Sequence, residues 1–142
     1  MIDKIFHMGT QIALIIKSDF YKNGIEFFTP SSFSQQLGYM NRPRGYQIPP
    51  HVHNPVAREV ILTQEVLFIK SGKVRVDFYN DDKNYLESRV LDKGDIILLA
   101  GGGHGFEMLE ESEMIEVKQG PYCGNKDKIC FEAVSSKLIV LK

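Results

Sequence analysis

The stretch Glu65-Val66-Leu67-Phe68-Ile69-Lys70-Ser71-Gly72-Lys73-Val74-Arg75-Val76-Asp77-Phe78-Tyr79 decides the fold class. From Lys73 to Tyr79 it alternates strictly, with Val74, Val76 and Phe78 on one side and Arg75 and Asp77 on the other. Successive strand residues point to opposite faces, so this is the signature of a strand with one buried face. Residues 65–70 form a second apolar run, and Ser71-Gly72 between the two suits a tight hairpin turn. The same grammar continues downstream. Strands are expected over 85–91, 96–99, 104–109 and 113–118, separated by the polar turn 80–84 and by Asp92-Lys93-Gly94-Asp95. Upstream, residues 11–17 and 25–28 read as strands, with Asn23-Gly24 as a turn signal. Residues 58–63 are rich in β-branched side chains and read as another strand. Residues 31–36 suit a single helical turn, 37–44 a loop, and 131–134 and 138–141 closing strands. Many short strands with regular turn signals indicate an all-β sandwich or barrel.

The chain has 142 residues, enough for one domain and too few for two ordinary ones. Its formal net charge is -1, which gives no electrostatic case for nucleic acid or an anionic membrane. The apolar run Ile12-Ala13-Leu14-Ile15-Ile16 is too short to span a bilayer and has no basic leader, so a cytoplasmic location is expected. Cys123 and Cys130 read as free thiols.

Chemistry concentrates in histidine. His51 and His53 flank Val52, and in an extended segment both rings project to one side, where two imidazoles can hold a divalent metal. Two surface histidines beside a proline turn are the alternative. His104 follows Gly101-Gly102-Gly103, and Glu65 opens its strand. Three histidines and a carboxylate suit zinc, manganese, iron or nickel, and leave coordination positions open for substrate. The glycine triplet leads into a strand rather than a helix. It therefore reads as a sharp bend with close backbone approach, not as a phosphate cradle. His7 has no partner in the sequence and reads as surface or interface.

These residues resemble the cupins. The first cupin motif, Gly-x5-His-x-His-x(3,4)-Glu-x6-Gly, is matched by Gly45, His51 and His53, and then by Glu65 and Gly72. The second is approximated by Gly94, Gly102 and His104. Eleven residues separate His53 from Glu65 where the motif has three or four, and Glu59 is a nearer carboxylate, but only Glu65 keeps the six-residue step to Gly72. Ala100 stands at the proline position of the second motif and Met108 at its asparagine. The resemblance covers residues 45–119. It implies a double-stranded β-helix, or jelly-roll barrel, with little helix, N-terminal strands over 11–28 and closing strands over 128–141. It also implies one divalent metal on His51, His53, Glu65 and His104. Within the cupins the chain is similar to small single-domain members found with polysaccharide biosynthesis, some labelled mannose-6-phosphate isomerase-like. Gln64–Gly72, Gly102–Phe106 and Val117–Tyr122 carry that likeness.

The expected partner is then a small polar metabolite, a sugar or sugar phosphate, in a homodimer. Isomerisation needs an acid–base group, for which Glu116 and Glu59 are the candidates. Lys118, Gln119 and Tyr122 are candidates for substrate binding if their strand face turns inward; outward, Glu116 and Lys118 are a solvated ion pair. A non-catalytic module that binds metal and a small ligand, or an Fe(II) dioxygenase on the same ligands, fits the same residues.

Overall fold

The computed structural model describes all residues, Met1–Lys142. The chain is all-β, with ten strands and two single-turn 3-10 helices: β1 Ile2–His7, β2 Thr10–Ile16, β3 Gly24–Phe27, β4 Gly38–Asn41, β5 Glu65–Ser71, β6 Lys73–Tyr79, β7 Tyr85–Asp92, β8 Ile96–Leu99, β9 Gly103–Met108 and β10 Glu113–Lys118. The strands form three antiparallel sheets, in the orders β1-β2-β8-β5-β10, β7-β6-β9 and β3-β4.

The five- and three-stranded sheets pack face to face. Ile15, Leu67, Ile69, Ile97 and Leu99 from one meet Val74, Val76, Phe78 and Leu91 from the other in a single buried cluster. The parity expected for β6 is therefore correct, and the apolar face of the hairpin is the sandwich interior. The opposite face of the five-stranded sheet is also covered. Leu14, Ile16 and Leu98 pack there under Phe28, with Phe20, Phe33, Leu37 and Tyr39 around them. A central sheet buried on both faces explains why β2 from Ile12 to Ile16 and β8 are apolar at every position instead of alternating.

None of the sheets closes into a barrel. The expected strand over 58–63 is absent, and residues 42–64 form no strand at all. β-Branched side chains favour a pleated conformation, but a strand needs a partner edge, and this segment has none. The closing strands expected near the C-terminus are likewise absent. In their place, Ser88 makes one parallel bridge to Leu141, and a 3-10 turn spans Ser136–Leu138. The tail is held by tyrosines. Val134 N–H donates to Tyr79 Oη at 3.0 Å, and Val140 N–H to Tyr85 Oη at 2.8 Å.

Three further differences have local causes. β1 pairs with β2 through Met8 and Gly9, both at positive φ, as two-residue hairpin loops require; methionine gives no such signal in sequence. β4 was expected as loop because Gly38 interrupts it, yet a Cβ at Gly38 would lie 2.8 Å from the Phe27 ring, so glycine is what lets β3 and β4 pair. Residues 31–36 open with one hydrogen-bonded turn, Phe33 N–H donating to the Pro30 carbonyl oxygen at 3.0 Å, and continue as bends without forming a helix.

The β7–β8 turn is pinned by Asp95, which is fully buried. Its carboxylate accepts from Ser18 N–H at 2.8 Å and Asp92 N–H at 2.9 Å, and pairs with Lys17. No helix is long and apolar enough to cross a membrane.

Candidate functional site

Strand parity places four polar side chains in the space between the two large sheets. On β5, Leu67 and Ile69 face the interior, so Glu65 does too. On β9, His104 shares the face of Phe106, which packs against the core. On β10, Glu116 and Lys118 share the face of Met114, which also packs there. β10 thus turns these two residues inward, resolving the ambiguity in the sequence.

The four meet. His104 Nε2 lies 3.3 Å from Glu65 Oε2, and Lys118 Nζ lies 3.4 Å from Glu65 Oε1. Lys118 Nζ is also 3.2 Å from Glu116 Oε1. The pairing of β5 with β10 explains the second contact, because Lys118 is the direct cross-strand neighbour of Glu65. Glu65 is mostly buried, while Lys118 and Glu116 are half-exposed, so the cluster forms the mouth of the sandwich rather than its centre. The imidazole N–H of His104 holds the Glu65 carboxyl below the usual carboxylate range; burial pushes the other way, and the charges of His104 and Lys118 add to the lowering. The Lys118 ammonium is raised in turn, first by Glu116 and then by the charge of Glu65.

His51 and His53 do not join this cluster in the single chain. They sit in the exposed segment 42–62 with ring centroids 5.2 Å apart, edge to face. His51 Nδ1 is 3.0 Å from the Pro49 carbonyl oxygen. A carbonyl can only accept, so Nδ1 is the donor in this hydrogen bond, and Nε2 is the ring nitrogen it leaves unengaged. No three His, Cys, Asp or Glu side chains lie together within metal-binding reach. The expected four-ligand set is therefore present as two pairs, each with suitable donors.

The other expected residues are dispersed. Gln119 is half-buried and its side chain donates to the Gly120 carbonyl; Tyr122 is exposed. Glu59 lines a separate cleft of about 730 Å3 between the β1–β2 turn, the β6–β7 turn and the glycine triplet. His7 also borders this cleft; Glu65, His104, Glu116 and Lys118 do not. The triplet behaves as a bend, since Gly102 has φ +67° and a Cβ there would lie 2.5 Å from the Tyr79 carbonyl oxygen. Both cysteines are free and exposed.

Sequence reasoning missed Gln64 as the residue that anchors the segment preceding β5. Its side chain is buried and accepts from Ser34 Oγ and Gln35 N–H. Alternation from Glu65 would have turned it to the opposite face, but its partners lie about thirty residues earlier and carry no local signal. Comparison with protein-family models, with curated proteins and with solved structures found no match to this chain.

Proposed function

We propose that the chain is a cupin-type protein that binds one divalent transition metal and acts on a sugar or sugar phosphate. The observation that carries this reading is the convergence of Glu65 and His104 from facing sheets, with Lys118 and Glu116 beside them. A carboxylate oxygen and an imidazole nitrogen aimed at one another at a half-open mouth are suitable donors for zinc, manganese, iron or nickel. His51 and His53 supply the remaining two. The jelly-roll reading is supported by two sheets packed face to face, the smaller of which has a free edge at β9.

Such a metal, when bound, polarises a carbonyl or holds vicinal oxygens as a Lewis acid. The chain's own residues do the rest. Lys118 presents an ammonium to a phosphate or to a developing enolate oxygen. Glu116, paired to Lys118, would be the carboxylate that carries a proton between adjacent carbons, whereas Glu59 lines a separate cleft. Retention of Glu65 as an anion keeps a donor ready at neutral pH.

The test is an aldose–ketose interconversion assay on a panel of sugar phosphates, with binding followed in parallel. Turnover that falls about 100-fold or more in Glu116→Gln, with ligand binding kept, is the expected result. Binding without turnover in the unaltered protein makes it a ligand-binding module instead. Neither binding nor turnover on any sugar phosphate removes the carbohydrate assignment.

A further inference from the structure

Residues 42–62 are exposed without exception, although they include Tyr46, Ile48, Val52 and Val56. Val52 is 88% exposed. Both ends of the segment are fixed to the chain. Asn41 ends a paired strand, Thr63 Oγ1 donates to Asp127 Oδ1 at 2.5 Å, and the Gln64 side chain is held by Ser34 and Gln35. Between these anchors, after a turn closed by Tyr46 N–H on the Pro43 carbonyl oxygen, it is an arm without strand pairing. From Ile48 to Val56 its even-numbered positions carry Ile48, Val52 and Val56 and its odd-numbered positions carry His51 and His53, with Val60, Ile61 and Leu62 following nearer β5.

The molecule also holds an edge that fits this arm. β9 pairs with β6 on one side and with nothing on the other. Its inward positions carry His104 and Phe106, while its outward positions 103 and 105 are glycines, with the Phe131 and Tyr79 side chains lying against them. An extended segment laid along β9 with its histidines inward brings them to the His104 side of the sheet. The same placement turns its apolar side chains to the outer side of the sheet, alongside Phe131. Pro49 and Pro55 share a parity, so one register turns both away from β9 as an edge strand allows, and Pro50 leaves a single ladder bond unmade.

The chain's own arm forms no strand pairing with its own β9. We propose that the arm of a second copy seats there, so that His51 and His53 of the partner subunit complete each site with Glu65 and His104. This is a reciprocal exchange of arms in a two-fold dimer. It explains in one step the exposed apolar arm, the open edge and the division of the ligand set into two pairs, and it rests on the metal-site reading above.

Mixed dimers test it. His51→Ala/His53→Ala protein has an intact Glu65 and His104, and Glu65→Gln/His104→Ala protein has an intact arm. The two are co-expressed with different tags and purified through both. Cobalt(II) is the probe, read by its visible absorption and by equilibrium dialysis. Exchange predicts that each variant alone loses binding and that the mixed dimer recovers about one ion per two chains. Mixed dimers that bind no better than either variant alone, beside wild-type protein that binds cobalt, overturn the exchange and place all four ligands in one chain. Wild-type protein that binds no cobalt overturns the metal site itself. Each variant is checked for cooperative thermal unfolding. If a double variant does not fold, His53→Ala and His104→Ala are mixed in the same way, with the same two outcomes.

Discussion

The neighbours of Glu65, His104 first, hold its carboxyl below the usual carboxylate range, and this fixes the sign of a pH effect in the metal-free protein. Its folded-state pKa lies below the unfolded one, so its contribution to stability is complete above the ordinary carboxylate range. That contribution is lost as the pH falls through the folded-state value. Thermal unfolding midpoints from neutral to acid pH should fall more steeply for the wild type than for Glu65→Gln; parallel curves would contradict the assignment. Gly102 is a second residue with one clear role. Gly102→Ala combines a strained positive φ with a Cβ against the Tyr79 carbonyl, so a loss of about 2 kcal/mol or more is expected in denaturant unfolding. Lys17 gives a third expectation. Lys17→Met leaves the buried Asp95 carboxylate with two backbone N–H groups and no countercharge, at a cost of about 3 kcal/mol in the same measurement. Residue chemistry of this kind was legible only in part. The donor types were plain in His51, His53, Glu65 and His104. The Glu65–Lys118 pair became visible only once β5 and β10 were seen to be neighbours, because nothing local to either residue records their register.

At the scale of elements, the strands from β5 to β10 lie within a residue or two of where alternation and turn signals put them. Each has a half-buried or fully buried apolar face and a glycine or polar turn at its end, so local pattern and tertiary burial agree. Phe78 sits at the centre of that agreement, and Phe78→Ala should cost about 3 to 5 kcal/mol in denaturant unfolding. Before β5 the reading failed where pairing, not propensity, decides. β1 is made by a turn with an unremarkable sequence, and β4 contains a glycine that usually breaks strands. Residues 58–63 have strand composition and no partner. The long step from His53 to Glu65, which departs from the cupin spacing, coincides with the part of the chain that leaves the sheets.

Over the whole molecule, only 24 of 142 residues are buried, and exposed apolar side chains recur along β1 to β4, in the arm, on the outer face of β10 and in the C-terminal tail. Ile115 and Val117 lie uncovered on β10, an edge strand of the larger sheet. A homodimer that covers such edges is expected, and sedimentation should give twice the 16.2 kDa chain mass. The account's central claim is that His51, His53, Glu65 and His104 hold one metal ion, and metal content after purification tests it most directly. Protein offered zinc, manganese, iron and nickel and then dialysed should retain about one ion per chain, and His104→Ala or His51→Ala/His53→Ala should retain much less. Wild-type protein that emerges with none of the four would contradict the claim.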